Sequence, residues 1–528
     1  MGEKKRLFRG MEGHGTIMRK HHILTAVAAA AVFSLGASTL AFADEEPVSG
    51  GTFTYARSDS TTSFDLHQEI TENNAFAIDK VFESLVTFDN DGNIIDWLAE
   101  DHKISDDGLV YTFTLRDGLK FSDGTDVTAE DVKFSIERHL EVGGSLPIEA
   151  DVKSVEAVDE KTVEITLGTA YTPFLSELAN FSNGIIPKDF GGKTEEEFFK
   201  NPVGTGPFAV SEWDPSGDLT FVKNEYYWQE GKPYIDELVY KVVDDDNQAL
   251  NQLLAGEIDG IEDLSLSNAS NVDGNADTKT ATSFSYNVEE LFFNTLDEHF
   301  SDEHVRRALA MAIDRESLTK ALTFGYAEIA NTVLPRALLY QTNDTVNALS
   351  YDIDAAKEEL AQSAYPDGFD TTISIASGNN TRLQEAQIIQ AAGAQIGINI
   401  EINSQEISTF RSDFRDLNFS MMINSATADY PDANSIFAFQ VDPDGWSKCY
   451  WTSYNNETAA DLMRKGQVTP DGDERAAVYE ELQQILADEV PYIPLYNSEN
   501  VVGLRDNVEG FTVLPNGSVH FEDVYFEE

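Results

Sequence analysis

The run of residues 97–138 constrains the fold of this chain more than any other part of its sequence. It contains two turn sequences, at 105–108 and 122–124, in which Asp caps its own backbone and Gly tolerates a positive φ. Between the turns, apolar and polar residues alternate from Val110 to Leu115, which is typical of a half-buried strand. The run therefore predicts a short strand that starts and ends close to two tight turns.

A helix is predicted directly after the second turn. Thr128 occupies the N-cap position, and two acidic residues in the first turn complement the positive end of the helix dipole. Val132, Ile136 and Leu140 recur at every fourth position and form an apolar stripe. No residue pattern in this strand and helix points to catalysis.

The first 43 residues have the three parts of a secretory signal peptide. Residues 19–22 are basic, residues 23–40 are apolar and rich in Ala, and residues 41–43 form a small-x-small cleavage site. The single cysteine, Cys449, lies far from that site, so neither a lipid anchor nor an intramolecular disulfide is expected. We therefore expect secretion across the inner membrane and a periplasmic protein without a lipid anchor.

The chain is strongly acidic. It has 93 Asp and Glu against 36 Lys and Arg, a formal net charge of −57. Such a charge repels phosphates, so nucleic acid is not an expected partner. Since 41% of the residues are hydrophobic, the composition still favours packed domains over disorder. The acidity fits either a hydrated surface suited to a salty habitat or a field that attracts cationic ligands, and composition does not separate the two.

Short strands and helices alternate along the rest of the chain, which is typical of an α/β protein. The predicted strands are residues 52–56, 163–167, 219–223, 238–243, 369–375 and 398–402. The predicted helices are residues 247–255, 301–313, 383–395 and 474–486. No long Pro- or Ser-rich linker separates them, so we expect domains joined by several chain crossings, which suits a hinge.

A series of further motifs follows the order found in one known family. These motifs are NPVGTGPF at 201–208, EYYW at 225–228, YID at 234–236, LLAGEID at 253–259, FFN at 292–294, VRRAL at 305–309, AIDR at 312–315 and GSVHF at 517–521. Each motif is weak alone, but their agreement in order is a strong signal. Together with the run 97–138, they show that the chain resembles the solute-binding proteins of peptide-type ABC importers, family 5.

The resemblance implies an α/β, two-lobed periplasmic binding protein fold (type II, cluster C-like), with an extra subdomain and a hinge between the lobes. The expected division is 1–43 for the N-terminal extension and signal peptide, 44–87 with 200–290 and 495–528 for a discontinuous lobe I, 88–199 for its extra subdomain, and 291–494 for lobe II. It also implies a monomer that is not an enzyme and needs no cofactor or metal. Its expected partners are a peptide or other small solute and a membrane ABC permease with a cytoplasmic ATPase.

Residues 427–434 resemble the family segment that lies beside the ligand. In peptide-binding members, an acidic residue at the position of Asp429 holds the α-ammonium group of the ligand, and a desolvated ammonium group requires such a carboxylate. A turn-forming Asp ahead of Tyr-Pro is the other interpretation of Asp429. Thr427, Tyr430 and Asp432 are expected beside it, and Asp432 also suits a turn cap.

Three residues elsewhere are further candidates for the ligand site. Arg382 precedes a predicted helix and could fork onto a ligand carboxylate, although an ion pair or an exposed position is the alternative in so acidic a chain. Arg57, directly after the first predicted strand, raises the same two possibilities. Trp446 could stack on a ligand, as aromatic walls do, or pack in the core.

The leading hypothesis is a receptor for di- or oligopeptides that feeds an ABC importer. The family usually has Trp where this chain has Ala426, a change that could widen the pocket or alter its side-chain preference. The same receptor role for a chelated metal, a sugar, an opine or another cationic metabolite therefore stays open. An extracellular hydrolase is the competing class, but no nucleophile–base motif supports it. Chaperone-like or sensory binding is also compatible with such a fold.

Overall fold

The computed structural model describes residues 47–68, 71–89, 92–445 and 452–527. The predicted signal peptide and two residues singled out in the sequence, Trp446 and Cys449, lie outside these ranges. Strands and helices alternate through the described chain, as expected of the α/β class.

The strands, numbered in chain order, are β1 (Thr52–Arg57), β2 (Val86–Phe88), β3 (Ile94–Asp96), β4 (Ala99–Ile104), β5 (Val110–Leu115), β6 (Val152–Ala157), β7 (Thr162–Leu167), β8 (Phe208–Trp213), β9 (Leu219–Lys223), β10 (Glu237–Val242), β11 (Gly260–Ile261), β12 (Thr278–Phe293), β13 (Ala327–Ile329), β14 (Phe369–Ala376), β15 (Ile398–Gln405), β16 (Met421–Thr427), β17 (Tyr492–Arg505), β18 (Val508–Glu509) and β19 (Tyr525–Phe526).

The α-helices are α1 (Glu72–Ile78), α2 (Ala129–Val142), α3 (Phe174–Leu178), α4 (Glu195–Lys200), α5 (Asp246–Ala255), α6 (Leu266–Asp273), α7 (Glu303–Ala312), α8 (Arg315–Leu322), α9 (Ile353–Leu360), α10 (Asn380–Gln395), α11 (Ile407–Arg415), α12 (Ala433–Gln440), α13 (Glu457–Val468) and α14 (Asp473–Glu489). Short 3₁₀ helices span Phe181–Asn183, Lys188–Gly192 and Phe521–Asp523.

Most strands belong to one mixed sheet. Its hydrogen-bonded order is β15-β14-β16-β12-β17-β11-β1-β10-β9-β8, with β13 attached to β17. Strand β1 pairs in parallel with β10 and β11, and β14 pairs in parallel with β15 and β16. The first lobe is built on the β1 end of this sheet and the second lobe on the β14 end. The domain limits expected from the sequence stay a prediction.

Two long strands, β12 and β17, run through both lobes and connect them. In the first lobe, residues 278–284 of β12 pair with residues 499–505 of β17. In the second lobe, residues 288–292 pair with residues 492–497. The register shifts between the two blocks, so residues 285–287 bulge out of the ladder with β17. The bulge places these residues at the junction of the lobes.

A separate antiparallel sheet, ordered β4-β5-β7-β6, packs with α2 into a subdomain. The side chain of Asp131 accepts a hydrogen bond from the N–H of the N-cap residue Thr128 at 2.8 Å, so α2 begins as predicted. Val132 and Ile136 are buried, but Leu140 is 38% exposed. Because a helix turns every 3.6 residues, a position eight residues on has drifted by about 80° from the stripe. The predicted inward position of Leu140 is therefore wrong.

The cores of the lobes consist of buried aliphatic and aromatic side chains on both sides of the large sheet. Strand β5 coincides with the alternating run in the sequence, and Tyr111, Phe113 and Leu115 are its buried residues. Among the described residues, no helix combines the length and the apolar character that crossing a membrane requires.

Candidate ligand-binding site

A cavity of about 440 Å³ lies between the lobes. This volume falls within the roughly 300–1,000 Å³ that is typical of small-molecule sites. The wall is formed by the beginning of the first lobe, the subdomain, the carboxyl-terminal tail, the bulge of β12, the neighbouring part of β17, and the end of β16 with the loop after it. Polar residues in the wall include Thr71, Glu72, Asp79, Lys80, Glu83, Asn180, Tyr286, Asn287, Asn500, Asn516, Ser518, His520 and Glu522.

The last residue of β16 and the loop after it also bring to the cavity the predicted site residues Thr427, Asp429 and Tyr430. The N–H of Ala428 donates to the carbonyl of Tyr286 in the β12 bulge at 3.0 Å. The N–H of Asp429 donates to Ser435 Oγ in α12 at 2.8 Å. The loop is thus tied both to a strand that connects the lobes and to a helix of the second lobe.

The carboxylate of Asp429 is exposed to the cavity. Its backbone carbonyl accepts from Asn180 Nδ2 at 2.7 Å, but none of the described residues donates a hydrogen bond to the carboxylate or forms an ion pair with it. Enclosure by protein raises the pKa of Asp429 to about 6, and the negative charge of Glu149 acts in the same direction. A cationic group in the cavity would relieve both effects.

Thr427 and Tyr430 shape the wall on either side of Asp429. The Tyr430 hydroxyl accepts from Asn434 Nδ2 at 3.2 Å and lies 3.3 Å from the hydroxyl of Tyr171. Thr427 Oγ1 donates to Asn287 Oδ1 in the bulge. Both side chains are held by protein partners, so Asp429 is the charged group that this loop offers to a ligand.

Asp432 is buried and is not among the described residues that line the cavity. Its carboxylate accepts from the N–H of Asn434 at 2.7 Å, which caps α12. It also pairs with the guanidinium group of Arg475 in α14 at 2.7 and 2.9 Å. These contacts agree with the capping interpretation of Asp432, and a ligand contact stays a prediction.

The two candidate arginines are engaged elsewhere. Arg382 Nε donates to Glu289 Oε1 at 2.6 Å, and Arg57 Nε donates to Glu262 Oε2 at 2.8 Å. Neither arginine is among the described residues that line the cavity, so the structure does not bring them to the acidic loop. Trp446 lies outside the described residues.

Reasoning from the sequence missed the polar wall that the first lobe contributes. The Lys80 ammonium group lies 2.9 Å from Asp79 Oδ1, and it donates to Ser518 Oγ at 3.1 Å and to the carbonyl of Val519 at 2.5 Å. Ser518 and Val519 belong to the GSVHF motif, which carried the family resemblance without being assigned to the site. No local pattern marks Lys80 itself.

Glu83 is a second residue of the cavity wall that the sequence analysis missed. Its Oε1 accepts from Trp97 Nε1 at 2.8 Å, from the hydroxyl of Tyr227 at 3.1 Å and from Trp228 Nε1 at 3.3 Å. Burial raises the pKa of Glu83 to about 7, although the hydrogen bonds from Trp97 and Trp228 act against it. The motif EYYW contains two of the donors, but nothing in the sequence pairs it with Glu83.

His520 and Glu522 add a charge pair to the same wall. His520 Nδ1 lies 2.8 Å from Glu522 Oε1. Burial by itself lowers the pKa of His520, but the Glu522 carboxylate outweighs this effect and the pKa is raised. Within the described ranges, no group of three or more His, Cys, Asp or Glu side chains is arranged to hold a metal ion.

A two-lobed α/β fold with a polar cavity between its lobes is the architecture expected of a solute-binding protein. Residues 93–448 match the family described as bacterial extracellular solute-binding proteins, family 5 middle, and the chain belongs to this family. It is thus a solute-binding protein of the ABC transport systems, a family of substrate-binding transport proteins rather than of enzymes. The family predicted from the sequence motifs is confirmed.

Known relatives differ in what they bind. The glutathione-binding protein GsiB of Escherichia coli O1:K1 is 28% identical over 452 residues, which cover 84% of this chain and 88% of GsiB. The binding protein DppA from Helicobacter pylori, solved with the peptide STSA, is 28% identical over 91% of this chain and 99% of its own, with a TM-score of 0.76. AgaA of A. tumefaciens R10, solved with agropinic acid, is 27% identical over 90% and 99%, also with a TM-score of 0.76. These structures confirm the predicted two-lobed fold.

Proposed function

We propose that this protein is the periplasmic receptor of an ABC importer for small peptides, and that Asp429 holds the α-ammonium group of the peptide. The observation that supports this most directly is the carboxylate of Asp429, which is open to the cavity and has no side-chain partner among the described residues. An ammonium group supplies both the charge and the hydrogen-bond donors that such a carboxylate lacks. The cavity volume suits a short peptide.

Capture proceeds by closure of the two lobes around the peptide. Strands β12 and β17 connect the lobes, and the bulge at residues 285–287 gives the connection a place to bend. A peptide that contacts the first lobe and the loop after β16 at the same time bridges the two lobes. It therefore stabilises the closed arrangement, in which the lobes are near each other. The loaded protein, a monomer secreted by its signal peptide and free of a lipid anchor, then delivers the peptide to a membrane permease driven by a cytoplasmic ATPase.

A non-peptide ligand is the second candidate. AgaA, a structural relative, was solved with agropinic acid, and GsiB carries the name of a glutathione-binding protein. The same receptor role for a chelated metal, a sugar, an opine or a cationic metabolite would use the same cavity. In that case Asp429 would hold a cationic group other than a peptide α-ammonium.

The test is native mass spectrometry of the protein purified from its host, followed by calorimetric titration of the peptides identified. We expect an adduct that fragments into amino acids, and Asp429→Asn should weaken the binding of that peptide about tenfold to a hundredfold, the range for one charge-assisted hydrogen bond. Asp106→Asn is the matched control, because Asp106 lies exposed in the turn at 105–108. An adduct that is not a peptide, or equal affinities for the two variants, contradicts the proposal.

A further inference from the structure

The wall of the cavity contains more acidic than basic side chains. Among the described residues, the acidic ones are Glu72, Asp79, Glu83, Asp429 and Glu522. The basic ones are Lys80 and His520. The site therefore has an excess of carboxylates even before the pairing of individual groups is considered.

Both basic groups are already neutralised by the protein. The ammonium group of Lys80 forms an ion pair with the Asp79 carboxylate and donates hydrogen bonds to two oxygens of the carboxyl-terminal tail. His520 is paired with Glu522. Neither group offers an unpaired positive charge to a ligand carboxylate.

Three of the carboxylates have no cationic partner among the described residues. Glu72 is exposed at the beginning of α1, and its side chain forms neither an ion pair nor a hydrogen bond with any described residue. The hydrogen-bond donors to Glu83 among the described residues are neutral indole, phenol and hydroxyl groups. Glu72 and Glu83 belong to the first lobe, whereas Asp429 belongs to the second. The cavity thus presents carboxyl groups without a cationic partner from both sides.

One neutral donor in the wall, the hydroxyl of Tyr286, lacks a partner among the described residues. Tyr286 is 2% exposed and lines the cavity. A ligand carbonyl would satisfy this hydroxyl without bringing a charge. The guanidinium groups that could neutralise a ligand carboxylate, those of Arg57 and Arg382, are held by Glu262 and Glu289.

We propose that the ligand carries a net positive charge and is a short peptide with a basic side chain. Its α-ammonium group pairs with Asp429, and its side-chain cation pairs with Glu72 and Glu83 across the cavity. The inference rests on the proposed peptide receptor and names the class of peptide. Anionic ligands are rejected because they would face unpaired carboxylates. Glutathione, with two carboxylates and one ammonium group, belongs to the rejected class.

Calorimetric titration of the purified protein at pH 8 with four probes tests this inference: the dipeptides Lys-Lys, Ala-Ala and Glu-Glu, and 1,5-diaminopentane. We expect Lys-Lys to bind at least about tenfold more tightly than Ala-Ala, and Glu-Glu not to bind. If Ala-Ala or Glu-Glu binds as tightly as Lys-Lys, the peptide receptor stands and the charge preference falls. If the diamine binds and no dipeptide does, the charge preference stands and the peptide receptor falls. Absence of binding by both cationic probes overturns the inference.

Charge variants of Glu72 provide a second measurement, because this exposed residue can be changed with little effect on folding. Glu72→Gln should weaken Lys-Lys binding about fivefold and leave Ala-Ala unchanged, and Glu72→Lys should improve the binding of Glu-Glu. Asp106→Asn again controls for the loss of one surface charge. Equal weakening of Lys-Lys and Ala-Ala by Glu72→Gln, or an unchanged order of the dipeptides in Glu72→Lys, overturns the assignment.

Discussion

At the scale of single residues, the environment of Asp429 couples ligand binding to pH. Its pKa of about 6 means that the carboxylate is mostly protonated at pH 5 and mostly ionised at pH 8. Only the ionised form pairs with a cation. We therefore expect the affinity for Lys-Lys, measured by calorimetry, to fall by at least about tenfold between pH 8 and pH 5.

The groups around Asp429 define the controls for this pH profile. Glu149 raises the pKa of Asp429 by its charge, so Glu149→Gln should move the midpoint of the profile to lower pH. Glu83, with a pKa of about 7, adds a second step on the first-lobe side of the cavity. Asp429→Asn should therefore reduce the pH dependence without abolishing it. An affinity that is constant from pH 8 to pH 5 would contradict the role of both carboxylates.

At the scale of elements, one buried ion pair joins α12, which follows the ligand loop, to α14. Asp432 caps α12 and pairs with Arg475 of α14, which is fully buried. Asp432→Asn keeps a capping side chain but leaves the guanidinium charge without its buried partner, so we expect a loss of about 3 kcal/mol in the free energy of unfolding, measured with urea. Asp471, which is 66% exposed and contacts the same guanidinium group, gives the control Asp471→Asn with a loss below about 1 kcal/mol. Equal losses would show that burial does not decide the strength of this pair.

At the scale of the whole molecule, the subdomain contacts the second lobe beside the ligand loop. The N–H of Thr172 donates to the carbonyl of Gln467 at 2.7 Å, and Thr172 Oγ1 donates to the carbonyl of Thr469 at 2.9 Å. Asn180, which follows α3, holds the backbone of Asp429. These contacts depend on the two lobes being close, so they favour the arrangement that encloses the ligand.

Removing one of these contacts should weaken ligand binding from a distance. Thr172→Val keeps the shape of the side chain but removes one interlobe hydrogen bond, so we expect affinity to fall about threefold to fivefold. Small-angle scattering should show a larger radius of gyration at a subsaturating ligand concentration. The control Thr114→Val makes the same substitution within β5, and it should change neither the affinity nor the radius of gyration. An unchanged affinity in Thr172→Val would show that this contact does not contribute to closure.

Several elements followed from local pattern alone. The alternation from Val110 to Leu115 predicted β5, and the N-cap at Thr128 predicted the beginning of α2. The error at Leu140 came from treating a fourfold spacing as if it matched the helical repeat. The candidate site was predictable only in part. Thr427, Asp429 and Tyr430 line the cavity, and they could be predicted because they lie in one continuous segment that resembles the family.

The sequence by itself determined the class of secondary structure, the family and the acidic ligand loop, because each depends on neighbouring residues or on motifs in a recognisable order. The tertiary structure alone decided which charges are free. Lys80 is ion-paired with its neighbour Asp79, but it is also held by Ser518, 438 positions later in the chain, and Arg57 is held by Glu262, 205 positions away. Pairing over such distances is set by the packing of the sheet and not by any local pattern. The charge that the cavity presents to a ligand is therefore a property of the folded chain.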